Sequence, residues 1–244
     1  DRRDAESAGL VTFDLLGLTA LTRIRDAEKA VRKHLDPHFR IERIPTDDCV
    51  TFGMIRGGET DGVFQFESRG MRMMVRRMQP RSILDLAAII AIFRPGPLKM
   101  QMDVRYREVR SGRRRPLYLH PALEPILAKT DGLLLFQEQL MQVAHDLGGL
   151  DMADADLMRR AMGKRDPKAI EPFRAAFFQG ARANGIAPQA AGEILHWLED
   201  VAAHTFSKAH AVSYATLAYR MAYLKAHHPE ACDWDEDDDE EDLP

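Results

Sequence analysis

Apolar and polar positions along most of the chain follow the period of an α-helix. In residues 19–35, Leu21, Ile24, Ala27 and Val31 recur at spacings of three and four, which predicts an amphipathic helix. Residues 82–93 are almost entirely apolar and predict a helix buried on all sides. Further helices are predicted in residues 70–79, 154–163, 167–185, 187–206 and 211–229. The fold class expected is therefore mainly α.

Residues 10–18, "LVTFDLLGL", have a different pattern, which is typical of a short strand. Asp14 lies between Phe13 and Leu15, so in a strand its side chain points to the opposite face from theirs. A carboxylate in that position can bind Mg²⁺, which prefers oxygen ligands. It can equally form a turn before Gly17, and the spacing leaves both interpretations open. The prediction is a helical domain with a small β element at the N-terminus.

Composition excludes several classes of protein. The chain has 244 residues, of which 45% are hydrophobic, enough for a sizeable core. The sequence contains no run of eighteen apolar residues, so no membrane span is predicted, and residues 1–10 lack the apolar segment of a signal peptide. The two cysteines lie far apart, which fits neither a disulfide framework nor a zinc site. We therefore expect a cytoplasmic protein that does not interact with membranes.

The net charge of −4 conceals two segments of opposite charge. Residues 233–242 hold nine acids and no base, which predicts a disordered acidic tail that could screen basic surface. Residues 69–115 hold thirteen Arg and Lys against three acids. Such a basic zone is typical of proteins that bind polyanions, although a solvated arginine-rich face has the same composition.

Two candidate phosphate-binding groups lie in this basic zone. Ser68 is placed to cap a helix in which Arg69, Arg72 and Arg76 fall on one side. Arg94 precedes the rigid sequence "PGP", which fixes the backbone and allows close approach. The alternatives are a solvent-exposed helix face for the first group and an ordinary helix stop for the second.

Two further candidate groups lie nearer the C-terminus. Arg159, Arg160 and Lys164 come near the end of a predicted helix, where they could clamp a phosphate or simply offset the helix dipole. Lys208 and His210 precede the last helix, where Lys208 and the free backbone N–H groups could contact a phosphate. His210 could instead be an ordinary polar residue at a helix start.

Six segments together resemble a known family. They occur in a fitting order and at fitting distances: "AGLVTFDLLGLTALT", "GVFQFESRGM", "IFRPGPL", "HPALEPILAKTDGLLLFQEQLMQVA", "ADLMRRAMGKRDP" and "FSKAHAVSYATLAYRMAYLKAHHPEA". Residues 1–231 resemble the bacterial DNA polymerase III alpha subunit, the C-family DNA polymerase, including its error-prone paralogues. The resemblance does not distinguish a replicative from an error-prone parent.

The resemblance implies a domain organisation and a function. Residues 1–20 would be the end of the palm, residues 21–231 the helical fingers, and residues 232–244 an acidic tail. Asp14 matches the third palm carboxylate of the family, which implies a catalytic role in holding Mg²⁺. The cations around Ser68, Lys164 and Lys208 would line the path of the incoming triphosphate and the template. The implied partners are primer–template DNA, deoxynucleoside triphosphates, and the remaining polymerase domains or replisome subunits.

The sequence departs from the family at three points. No Asp-x-Asp motif precedes Asp14, Thr12 replaces a lysine, and residues 203–206 read "AHTF" where the family has "GYGF". Because one carboxylate cannot hold two metal ions, we expect this polypeptide alone to be catalytically silent. Two other functions stay open. One is a non-catalytic remnant that binds nucleic acid through its arginines, and the other is an interaction module that uses the acidic tail.

Overall fold

A computed structural model of the chain describes residues 2–10, 17–232 and 234. Its α-helices, numbered in chain order, are α1 Arg2–Ser7, α2 Thr19–His34, α3 Cys49–Gly57, α4 Arg69–Met78, α5 Ile83–Ile92, α6 Pro95–Lys99, α7 Met102–Arg110, α8 Glu124–Leu127, α9 Gln137–Asp146, α10 Met152–Lys164, α11 Pro167–Ala183, α12 Pro188–Ala202 and α13 Lys208–His227. Short 3₁₀ turns occur at Ile41–Arg43, Pro121–Leu123, Ala128–Thr130 and Pro229–Ala231.

The mainly α class is confirmed. Within the described ranges the β structure consists of one isolated parallel bridge, between Phe136 and Phe206. Most of the predicted N-terminal strand, with Asp14, falls in residues 11–16, which lie outside the described residues. No helix in the described part of the chain is both long enough and apolar enough to cross a membrane.

Helix α13 is the central element of the first helix group, which consists of α2 to α7 and α13. It packs against α5, α3 and α2, and the face it buries is rich in alanine, which lets neighbouring helices approach closely. Its Tyr219 hydroxyl donates to the carbonyl of Pro45 at 2.7 Å and accepts from the N–H of Asp48 at 3.1 Å. Helix α5 is buried along nearly its whole length, as its apolar sequence predicts.

Helices α9 to α12 form a second helix group. Helix α10 packs on α9 and α11, and α11 packs on α12. Gly148 follows α9 and meets Gly180 of α11 so closely that a Cβ on Gly180 would collide with the Gly148 carbonyl. The bridge from Phe136 to Phe206 joins this group to the start of α13, with the N–H of Gln137 donating to the Phe206 carbonyl at 2.9 Å.

The structure refines the local predictions. The helix expected in residues 19–35 begins at Thr19, and Leu18 occupies its N-cap position without a side-chain capping bond. The "RPGP" segment ends α5 and also begins the short helix α6. Pro95 occupies the first position of α6, where a backbone N–H would have no helical hydrogen-bond partner in any case. Helix α7 was not predicted, because Met102 and Tyr106 are the only buried residues of its arginine-rich sequence.

Candidate functional site

Ser68 and Arg94 line one surface groove of about 340 Å³. The start of α4, the end of α5 and Phe206 form its walls. Ser68 is exposed and caps α4, its side-chain oxygen accepting from the N–H of Met71 at 3.3 Å, as predicted. Arg69 follows as the exposed first residue of the helix. The groove thus brings together residues from three segments that are far apart in sequence.

Arg94 is held firmly in this groove. Its Nε donates to the carbonyl of Ala91 at 2.9 Å and its Nη2 to that of His204 at 2.5 Å. Its guanidinium carbon lies 4.7 Å from the centroid of the Phe206 ring. Burial lowers the pKa of Arg94, but the side chain stays charged at neutral pH. No described residue accepts a hydrogen bond from its Nη1, so this donor is available to a ligand.

An aromatic row continues from the groove along α13. The Phe206 and His210 rings are 5.4 Å apart between centroids, those of His210 and Tyr214 4.0 Å, and those of Tyr214 and Phe64 4.9 Å. All four residues of this row are partly or fully exposed. Aromatic faces of this kind can stack with nucleobases. The spacing of four between Phe206, His210 and Tyr214 was a sequence signal for this row that the prediction did not use.

The first N–H groups of α13 already have a partner. The N–H of Lys208 lies 2.8 and 3.0 Å from the two carboxylate oxygens of Glu138, at the start of α9. Ser207 caps the helix by accepting from the N–H of His210 at 3.4 Å. The helix terminus predicted as an anion site therefore holds an internal carboxylate. Glu138 in turn fixes the helix start that carries Lys208 and His210.

The cations of α10 form a separate group. Arg159 and Arg160 both pair with Asp156, at 2.7 and 2.8 Å, within the same helix. Although partial burial opposes ionisation of Asp156, the hydrogen bonds from the two arginines lower its pKa. Lys164 is exposed at the end of the helix. Within the described ranges, no hydrogen bond, ion pair or ring contact joins these cations to Arg94 or to the other groove residues.

The predicted arginine ladder of α4 is largely engaged in holding the fold. Arg72 donates from Nε to the carbonyl of Gly58 at 2.9 Å and pairs with Asp61. Arg76 donates from Nε to the carbonyl of Gly57 at 2.7 Å. These bonds tie α4 to the end of α3. Of the three ladder residues, Arg69 alone makes no side-chain bond to the part of the chain that the structure describes.

The predicted magnesium ligand, Asp14, lies outside the described residues. Among the residues that are described, no group of three or more His, Cys, Asp or Glu side chains could hold a metal ion. The described residues therefore do not provide a site that fits the predicted Mg²⁺.

Comparison with known proteins tests the resemblance directly. Residues 20–185 match the profile of the bacterial DNA polymerase III alpha subunit finger domain. The chain belongs to this family. It is 41% identical over 238 residues to the DNA polymerase III subunit alpha of Escherichia coli K12, a match that covers 94% of this chain and 20% of that protein.

Other finger-domain relatives match over the same share of their length. The DNA polymerase III subunit alpha of Pseudomonas aeruginosa is 40% identical over 239 residues, covering 94% of this chain and 20% of that protein. The protein of the same name from Halalkalibacterium halodurans is 40% identical over 224 residues, covering 92% and 20%. The resemblance based on six motifs is confirmed, and the chain spans about a fifth of the length of these relatives.

Proposed function

We propose that the chain forms the fingers of a DNA-directed DNA polymerase, which carries out template-directed nucleotidyl transfer in DNA replication or error-prone repair synthesis. Membership of the finger-domain family and the names of its relatives support this function. The observation that carries the proposal is the groove, where Ser68, Arg94 and Phe206 meet from distant segments. A polar cap, a fixed guanidinium and an aromatic face are together suited to a nucleoside triphosphate.

The groove residues and the candidates that lie close to them in sequence have distinct roles in this proposal. Arg94 offers the triphosphate its charge and the N–H donors of Nη1, while its Nε and Nη2 bind backbone carbonyls. Arg69 and Lys208 add charge at the starts of α4 and α13. Ser68 donates its hydroxyl proton to a phosphate oxygen, while His210 in the aromatic row supports stacking of the base.

The cations of α10 would contact the phosphates of the DNA strands. Asp156 already neutralises part of the charge of Arg159 and Arg160. Lys164 is exposed and makes no ion pair with a described residue, so it contributes a full charge to such a contact. These residues position the DNA without reading its sequence.

In nucleotidyl transfer the groove and the metal would have different roles. The primer 3′-hydroxyl attacks the α-phosphate and pyrophosphate leaves, so Arg94 holds negative charge throughout the reaction. Bound Mg²⁺ would supply Lewis acidity, with Asp14 as one carboxylate ligand and the remaining ligands from other polymerase domains. The proposed partners are primer–template DNA, deoxynucleoside triphosphates and further polymerase or replisome components, in the cytoplasm.

Replacing Lys208 by alanine tests the proposed contact between the start of α13 and a nucleotide. The affinity for a deoxynucleoside triphosphate should fall and should depend less steeply on salt concentration, because one screened cation–phosphate contact is lost. Equilibrium dialysis of the whole chain at several salt concentrations measures this slope. Lys33→Ala is the matched control, since Lys33 is exposed on α2, away from the groove. Equal slopes for Lys208→Ala and the unaltered protein would contradict the proposal.

A further inference from the structure

A second pocket, of about 460 Å³, lies at the opposite end of α4 from Ser68. Arg77 of α4, Arg81 of the following turn, and Arg107 and Arg110 of α7 line it. We call it the arginine pocket. With a rise of 1.5 Å per helical residue, Arg77 lies about 13 Å along the helix axis from Ser68. The arginine pocket is therefore a different place from the groove.

Three of its arginines carry charge that the fold does not neutralise. Arg77 and Arg81 are exposed and Arg107 is half-buried. None of the three side chains forms an ion pair or a hydrogen bond with a described residue, whereas Arg72 and Arg76 of the same helix are engaged. Cations brought into one concavity from three segments repel one another, so a bound anion would relieve that repulsion.

The fourth arginine forms a rigid wall of the pocket. Arg110 makes two hydrogen bonds to the carboxylate of Asp85, at 2.6 and 2.8 Å, and its guanidinium carbon lies 5.3 Å from the centroid of the Tyr106 ring. It also lies 3.6 Å from Asp131, the one acid among the lining residues. Four guanidinium groups face two carboxylates, so the arginine pocket has a net positive charge.

The positive charge extends beyond the pocket. Residues 111–117 follow α7 directly and are all exposed, and they include Arg113, Arg114 and Arg115. Only Arg114 of these pairs with a described acid, Glu108, at 3.6 Å. A compact anion would use the pocket alone, whereas a polymer with a charge at every repeat can also contact the exposed arginines that follow the pocket in sequence.

We propose that the arginine pocket and residues 111–117, which follow α7, bind the backbone phosphates of single-stranded DNA. Guanidinium groups form forked hydrogen bonds with phosphate oxygens, which suits arginine better than lysine to this task. The site holds the strand without regard to sequence, because backbone contacts carry no base information. The identification of the polyanion as DNA depends on the proposed function, whereas the phosphate chemistry depends only on these residues.

Salt titration of single-strand binding tests this site. The affinity of the whole chain for fluorescently labelled oligothymidylate is measured by anisotropy at several salt concentrations. Arg77→Ala and Arg107→Ala should each make the slope of log affinity against log salt shallower by about 0.7, and oligodeoxyadenylate should give the same result. Arg182→Ala is the matched control, since Arg182 is an exposed arginine on α11. Equal slopes for all three variants would overturn the proposal.

Two further arms of the experiment separate the other outcomes. If Arg77→Ala weakens binding of tripolyphosphate but leaves oligothymidylate binding unchanged, the site takes a compact anion and the assignment to a strand is wrong. Lys208→Ala is measured in parallel with a deoxynucleoside triphosphate. If the slope becomes shallower for Arg77→Ala and Arg107→Ala and Lys208→Ala has no effect, the result would support the arginine pocket and contradict the proposed nucleotide contact at Lys208. If Lys208→Ala has an effect and the slopes for Arg77→Ala and Arg107→Ala do not change, the arginine pocket is contradicted and the proposed function is not.

Discussion

The internal partners of each cation decide which charges remain available to a ligand. Arg76 and Arg160 bind a carbonyl and a carboxylate of their own fold, whereas Lys164 does neither among the described residues. The pairing of Arg160 with Asp156 could have been predicted, because the two residues are four apart on a helix. The bond from Arg76 to Gly57 could not, because it requires knowing how α3 and α4 pack.

Replacing Lys164 should affect DNA binding more than replacing Arg160. Lys164→Ala removes an unneutralised charge, so the slope of log affinity for DNA against log salt should become shallower by about 1. Arg160→Ala removes a charge that Asp156 already offsets, so its effect should be smaller. Anisotropy with labelled primed DNA measures both slopes. A larger effect at Arg160 would show that its ion pair opens when DNA binds.

Asp48 should make the fold sensitive to acid. Partial burial opposes its ionisation, yet hydrogen bonds from His227 and Thr51 lower its pKa from 3.8 to about 2. A carboxyl with a lowered folded-state pKa stabilises the protein above its unfolded value, and that contribution is lost as the pH falls from 3.8 through about 2. Asp48 also caps α3, accepting from the N–H of Thr51 at 2.7 Å.

Asp48→Ala should lower the free energy of unfolding at neutral pH by about 1 kcal/mol, because the helix loses its cap. The difference from the unaltered protein should shrink as the pH falls below 3.8. Urea unfolding followed by circular dichroism across the acid range measures this. A difference that is independent of pH would mean that the ionised carboxylate makes no contribution.

At the scale of elements, one buried ion pair joins two helices. Asp85 of α5 accepts two hydrogen bonds from Arg110 of α7 and a third from the backbone N–H of Arg81 at 2.8 Å. The Tyr106 hydroxyl donates to the same carboxylate at 3.3 Å, and burial raises the pKa of Tyr106. This network holds α7 in place although Met102 and Tyr106 are its only buried residues.

Removing only one member of this ion pair should lower the stability of the fold. Arg110→Ala leaves the Asp85 carboxylate buried without its charge partner, so the free energy of unfolding should fall by about 3 kcal/mol. The double variant Asp85→Ala, Arg110→Ala should lose less than the sum of the two single changes, since neither charge is then stranded. Denaturant unfolding of the three variants measures the coupling. Additive losses would show that the two side chains act independently.

The periodicity of apolar residues in the sequence predicts some helices and misses others. Residues 19–35 and 82–93 carry enough apolar residues to reveal α2 and α5. Helix α7 has two buried residues and is fixed by the Asp85 pair, which no local pattern shows. Periodicity reports burial, so an element held by an ion pair between distant residues escapes it.

At the scale of the whole molecule, the groove depends on contacts between segments that are far apart in sequence. Arg94 donates to the carbonyl of His204, and Phe206 is bridged to Phe136. Residue types and spacing identified Ser68, Arg94 and Lys208 as separate candidates, but gave no reason to group them. The family resemblance grouped Ser68 and Lys208 with the α10 cations, whereas the structure places Ser68 with Arg94 in one groove and leaves the α10 cations apart.

Hydrogen–deuterium exchange of the whole chain reports where a nucleotide binds, and it therefore tests whether the groove and the start of α13 form the nucleotide site. A deoxynucleoside triphosphate should slow exchange at the start of α4, around Met71, and along the first turns of α13, from Lys208 to Tyr214. Helix α2 serves as the internal reference and should be unchanged. Slower exchange at both helix starts is the predicted result. Protection confined to other helices, with none at these two, would contradict the account.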